Sequence, residues 1–181
     1  MAEVRAAPFA GGKGVDSEMF ARALIAFVAL PGVVAGLVPW LIVGGDLRPG
    51  PGAIPGIALS AVGTFVLLWC VRDFYVSGKG TLAPWSPPQR LVVVGLYHHA
   101  RNPMYVAVLT IVAGWAVALG SLSLGAYLAV LAIAFHLRVI VHEEPWLQRQ
   151  FGAAWTAYAA SVPRWLPLLR RHGIARSKWP T

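Results

Sequence analysis

Between Ala23 and Gly45, and again between Pro49 and Val71, the chain runs for 23 residues without a charged side chain. A helix needs about 20 apolar residues to cross the hydrocarbon of a bilayer. In lipid the backbone must also satisfy its own hydrogen bonds, which favours helices. Both runs are therefore expected as transmembrane helices 1 and 2. A third uncharged run, Asn102 to Leu137, is 36 residues long. At about 1.5 Å per residue it is too long for one crossing, so it must fold back. The Gly120-Ser121 pair near its middle supplies the turn. The expectation is a tight hairpin of helix 3, about Pro103 to Leu119, and helix 4, about Leu122 to Val141. Pro31 and Pro39 should kink helix 1, a distortion that lipid-embedded helices tolerate.

Composition narrows the class further. With 57% hydrophobic and 12% charged residues, the chain departs from soluble globules and from disordered chains alike. Cys70 is the one cysteine, so no disulfide framework is possible. The net charge is +8, but the basic residues flank apolar runs, so they suit anionic lipid headgroups and not nucleic acid. With four spans, every Lys and Arg except Arg48, 14 of 15, falls on one side of the membrane. The positive-inside rule puts that side in the cytoplasm, with both termini, and the expected location is the cytoplasmic membrane. The first 19 residues are polar and mixed in charge, unlike a signal peptide.

Asp73 to Gln89, rich in Gly, Pro and Ser, reads as an irregular cover over the membrane face. After Pro145, which suits a first helical turn, Leu147, Phe151, Trp155, Tyr158 and Val162 recur at spacings of four, four, three and four. That is the pattern of an amphipathic helix ending before Pro163. Lying at the interface, it would turn Arg164, Arg170, Arg171, Arg176 and Lys178 to the headgroups. The expected fold is all-α and integral to the membrane, with about four transmembrane helices, the helix 3 to helix 4 hairpin and a C-terminal amphipathic interfacial helix. Its parts are a polar tail over 1–19, helices 1 and 2 over 20–72, a core over 73–167 and a basic tail over 168–181.

Three of the seven carboxylates lie in the N-terminal tail, which makes the adjacent Glu143 and Glu144 stand out. Two like charges side by side near a membrane are costly and call for a cation, bound or built in. Either the pair faces a ligand or it pairs with Arg101 or Arg138. A second cluster, Gly95 to Tyr105, reads GLYHHARNPMY. Pro103 suits the first turn of helix 3, and Arg101 stands at its mouth beside free backbone amides. Such a place receives a carboxylate or phosphate, unless Arg101 simply snorkels to headgroups. The hairpin makes Arg101 and the Glu pair neighbours on one rim, a positive and a negative group flanking one pocket. S-adenosylmethionine suits both, with an α-carboxylate for Arg101 and an amino group, a sulfonium and ribose hydroxyls for the carboxylates. His136, seven residues before Glu143, either lines this pocket or makes an ordinary helix contact. No metal centre is expected: His172 lies in the tail, and HEEPW at 142–146 has Pro where HExxH needs its second His.

Three blocks in order, TLAPWSPPQRLVVVGLYHHARNPMY from Thr81, HEEPWL from His142 and FGAAWTAYAASVPRWLP from Phe151, resemble the isoprenylcysteine carboxyl methyltransferase and phospholipid methyltransferase superfamily of integral membrane enzymes. The likeness covers about Thr81 to Pro167. It implies a small helical membrane domain whose cytoplasmic pocket holds S-adenosylmethionine while the acceptor enters from the bilayer. The family's cofactor motif falls on Gly95, Tyr97, Arg101, Asn102, Pro103 and Tyr105, and its Glu-Glu pair on Glu143 and Glu144. Leu96, His98 and His142 join the cofactor-binding set, and Arg101 and Glu144 are the candidate catalytic residues. Asn102 stands where the carboxyl methyltransferases usually have His, and Ala107 where a Gly commonly follows the Tyr by two.

The resemblance implies transfer of a methyl group from S-adenosylmethionine to a lipidic or small apolar acceptor bearing a carboxylate, amine or thiol. Direct displacement at a sulfonium methyl asks chiefly for alignment and exclusion of water. Membrane lipids and a lipophilic small molecule are the expected partners, with no protein partner indicated. The same C-terminal fold occurs in sterol reductases, so a nicotinamide-dependent double-bond reductase and a non-catalytic lipid-binding protein are the rival readings. Cysteine labelling of intact cells tests the orientation. A cysteine placed near Asp46 should react from outside and one near Gly80 should be protected; reaction at Gly80 from outside would overturn the topology.

Overall fold

A computed structural model describes residues 28–78, 91 and 93–166. The polar tail expected over 1–19, the rest of the expected irregular cover over 79–89 and the basic tail expected over 168–181 lie outside the described residues, as does the start of helix 1. Every regular element among the described residues is helical.

The first helix, α1, runs as a π-helix over Val28–Leu37 and continues as an α-helix over Val38–Ile42. Pro31 lies inside the wide-wound part, where a π-turn accommodates the missing N–H. Pro39 has no N–H to give to Val34 five residues earlier, and the Tyr127 hydroxyl donates to Val34 O instead, at 2.9 Å. The expected kink is thus a change of winding.

The second helix, α2, covers Ala53–Gly78. It overruns the expected end at Val71, so Asp73 to Gly78 is helical and the irregular cover does not begin there. Helix α3 is Pro103–Leu119, with Pro103 at its start and Gly120 at φ 60°, ψ 31° beyond its end. Ser121 caps α4 by accepting from the Leu124 amide at 3.4 Å. The expected hairpin is present at its expected turn.

Helix α4 differs from expectation. It runs unbroken over Leu122–Phe151, through a π-turn at Val139–Glu143. Pro145 stands in the first turn of the α-wound part, Glu144–Phe151, as expected, but the wider turn just upstream absorbs its clash with the carbonyl four residues before it, so that part continues α4 without a break. The break comes at Gly152, whose φ of 52° and ψ of −121° favour glycine. Helix α5, Ala153–Ser161, follows. The apolar stripe of the helix expected at the membrane interface is folded onto the chain itself. Trp155, Tyr158 and Val162 are buried against Leu91, Val93, Leu147 and Phe151.

Among the described residues two helices are long and apolar enough to cross a membrane, Ala53–Asp73 and Leu122–Phe151, while Pro103–Leu119 is shorter. Their apolar side chains face outward, with Ile54 at 84% and Val130 at 64% exposure. An apolar surface of this extent suits lipid and not water.

Helices α2 and α3 meet along small residues. A Cβ on Gly56 would run into the Ala118 backbone, and one on Gly114 into Gly56 O at 2.6 Å; one on Gly63 would meet Ile111 at 2.8 Å. Between them Ser60 Oγ reaches Ile111 O at 3.3 Å. Close approach of this kind supplies the contacts that hold helices together in lipid. Gly56→Ala and Gly114→Ala should each cost about 1 to 3 kcal/mol by overpacking. Gly125, with nothing near its Cβ position, is the control. Thermal melts in detergent should show both seam variants lowered and Gly125→Ala unchanged or raised.

Candidate functional site

The turn at Gly120 sends α4 back along α3, so the end of α4 arrives beside the start of α3. There the backbone amide of Arg101 donates to Pro163 O at 2.8 Å, and Asn102 Nδ2 to Arg164 O at 3.1 Å. These bonds strap the segment after α5 across the mouth of α3.

Five charged side chains meet under this strap. Arg101 Nη1 donates to Glu144 Oε1 at 2.8 Å. Arg164 grips both oxygens of the same carboxylate, at 2.7 and 2.8 Å. Glu143 turns the other way and accepts from Arg138 Nε at 2.9 Å and from the Tyr105 hydroxyl. Arg101 and Glu144 are only 13% and 18% exposed, so this pair is shielded from water, while Arg138 is 57% exposed. Shielding makes such pairs stronger and their disruption costlier. Hydrogen bonding to Glu144 further strengthens the hold of Arg164 on its proton.

The expectation that Arg101 and the Glu pair share one rim holds. There the pair is neutralised by built-in arginines, one of the two readings left open by the sequence. Three guanidiniums against two carboxylates leave a surplus positive charge. Arg164 was assigned to headgroups and is instead bonded to Glu144, because Gly152 folds the last helix back over the rim. The relevant signal is a charge count: two adjacent acids, with Arg101 and Arg164 in the flanking blocks and Arg138 five residues before Glu143.

Around this cluster, aromatic side chains set the floor. Trp155 lies under Arg101, with the guanidinium carbon 5.8 Å from the ring centroid. Tyr158 donates its hydroxyl to Tyr97 O at 2.7 Å. Burial pushes both phenols above their ordinary range, so both stay protonated. Tyr97 and Leu96 pack with Cys70 on α2. Gly95 sits at φ 55°, and its missing side chain leaves room for the Asp73 carboxylate. Asp73 is buried, a feature sequence reasoning passed over as part of a loop. Pro103 is buried at the helix start, whereas His98 and His142 are exposed and bond to none of the charged groups. Among the described residues no group of His, Cys, Asp and Glu is placed to hold a metal.

Beside the charged cluster runs an apolar groove of about 500 Å³. It is lined by Leu59 of α2, Val106, Leu109, Thr110 and Ala113 of α3, Leu128, Ala132 and His136 of α4, and Trp165 and Leu166 of the strap. Trp165 separates the two regions. Its ring is 6.4 Å from that of Tyr105, and its Nε1 donates to His136 Nδ1 at 3.3 Å.

Residues 52–154, more than half of the chain, match the profile of a family described as phospholipid methyltransferase. Neither the curated proteins nor the solved structures provide a match.

Because Glu144 answers two shielded arginines, Glu144→Gln leaves both under-compensated and should destabilise the protein by about 1 to 3 kcal/mol. Glu143→Gln, opposite the exposed Arg138, should cost less. Melting curves of the two variants check the order; a higher melting point for Glu144→Gln would show that repulsion between the acids dominates.

Proposed function

The chain belongs to the phospholipid methyltransferase family, and on that premise we propose that it transfers a methyl group from S-adenosylmethionine to a lipidic or small apolar acceptor. The observation that carries the reading is Arg101 Nε, buried without a hydrogen-bond partner among the described residues. An unpaired cationic N–H in a shielded place is a directed donor for an anion. The α-carboxylate of S-adenosylmethionine fits it, and the surplus positive charge of the cluster favours the same group. When bound, the cofactor supplies an electrophilic methyl on a sulfonium.

The chain's own residues then bind, orient and exclude water. Arg101 takes the carboxylate, held in line by Glu144 on one side and Trp155 beneath it. Glu143 and Tyr105, bonded to each other, border the groove through Trp165. Gly95–His98 form a short 3-10 turn whose close packing on α2 brings backbone up to the site. The apolar groove keeps the acceptor's tail out of water and its head near the charged cluster, so the two reactants are aligned at a dry boundary. The four-span arrangement in the cytoplasmic membrane, with this site facing the cytoplasm, is part of the proposal and is supported by the 14 of 15 basic residues on one side.

Isothermal titration of the detergent-purified protein with S-adenosylmethionine, S-adenosylhomocysteine and NADPH tests the reading. S-adenosylhomocysteine should bind, and NADPH should not. Arg101→Ala should weaken S-adenosylhomocysteine by roughly 10- to 150-fold and Arg101→Lys by less, since a point charge replaces part of a bidentate grip. Unchanged affinity in both variants would leave Arg101 only its structural pair with Glu144.

A further inference from the structure

Resting on the methyltransferase reading, we propose that His136 positions the acceptor, offering its Nε2–H to a head group that accepts a hydrogen bond, and that Trp165 holds it in that tautomer. Along α4 the groove is lined by Leu128, Ala132 and His136, each four residues from the last. From Leu128 to His136 the helix rises about 12 Å. That is most of the roughly 15 Å hydrocarbon depth of one leaflet, so the groove suits a single hydrocarbon chain lying within it.

Three of the lining residues carry side-chain groups that can hydrogen bond, and two of those groups are already engaged. Thr110 Oγ1 donates to Val106 O of its own helix at 2.8 Å. The indole N–H of Trp165 donates to His136 Nδ1 at 3.3 Å. An indole nitrogen only donates, so Nδ1 must carry its lone pair, and the ring proton sits on Nε2. His136 is exposed, and its Nε2–H has no partner among the described residues. A polar donor left open beside an apolar groove at membrane depth points to a ligand contact. Its place fits that role: the His136 ring lies 5.9 Å from that of Trp165, which in turn faces Tyr105 and the charged cluster.

The same geometry selects among acceptors. A carboxylate or thiolate forms the new bond to the methyl carbon with its own lone pair. The carbon–sulfur bonding pair stays on the departing thioether sulfur, and no proton has to leave the acceptor. An amine would hold a surplus proton after transfer, and the basic nitrogen of His136 is covered by Trp165. The occupant that this donor favours is thus an amphiphile with one hydrocarbon chain and a head that accepts a hydrogen bond, a carboxylate before an ammonium.

The test uses the full chain in detergent micelles, labelled with 15N-histidine, with decanoate and decylamine as probes. The His136 resonances, identified by their loss in His136→Gln, should report the Nε2–H tautomer and become averaged in Trp165→Phe. Decanoate should bind more tightly than decylamine. His136→Phe should weaken decanoate about tenfold, and His136→Gln, which keeps a donor, should restore most of it. An Nδ1–H tautomer in the wild-type chain, equal binding of the two probes, or undiminished decanoate binding to His136→Phe would each overturn the proposal. If His136→Phe does not fold, the wild-type tautomer and the probe preference decide. Titration of the same sample with S-adenosylhomocysteine separates the two levels: its failure to bind sinks the methyltransferase reading, whereas binding with no His136 effect sinks only this assignment.

Discussion

The close approach of α2 and α3 is the constraint on which the remaining structure depends. Between apolar helices in lipid there is no hydrophobic gain, so contact at short range must hold them together. Gly56, Gly63 and Gly114 remove the side chains that would keep the two backbones apart, and Ser60 and Ile111 bond in the space so opened. That seam sets the position of α3. With α3 set, the left-handed Gly120 decides the direction of α4, and α4 delivers Glu143 and Glu144 to the mouth of α3. A charged site at one end of the bundle therefore follows from packing in its apolar middle.

At that end the chain holds several part-shielded charges, an arrangement stable only if each has partners. Arginine is suited to the task because its planar fork can serve one carboxylate with two bonds, as Arg164 does for Glu144, or share a carboxylate with another cation, as Arg101 does. The strap over 163–166 completes the set. Its backbone carbonyls accept from Arg101 and Asn102 while its side chains reach Glu144 and His136. One short segment thereby closes the charged cluster and caps the neighbouring groove. Trp165 marks the boundary, with one face of the site polar and the other apolar. Methyl transfer to an apolar acceptor needs such a boundary, because its two reactants differ in polarity and must still meet.

Much of this was legible before any coordinates. The uncharged runs announced the helices, and Gly120-Ser121 announced the hairpin, since a left-handed residue followed by a capping serine is a local property. The GLYHHARNPMY block and the Glu pair were identified as partners across that hairpin. Two readings failed for physical reasons. The stripe from Leu147 to Val162 keeps a helical period straight through Gly152, because period reports which residues share an apolar environment and says nothing of the backbone angle at one glycine. Pro145 looked like a helix start, yet the π-turn before it lets α4 continue.

By itself, then, the sequence determined a bundle of apolar helices with a hairpin and with Arg101, Glu143 and Glu144 at one end, because charge is excluded from a hydrocarbon span and a tight turn makes helix ends neighbours. Tertiary structure alone decided which arginine meets which acid, that Arg164 faces Glu144, that Asp73 is buried beside Gly95, and that Trp165 stands against His136. Those pairings depend on side-chain atoms coming within about 3.5 Å. The Asn102 side chain and the Arg164 carbonyl do so across 62 residues of chain, a separation over which neither period nor spacing carries any record of distance.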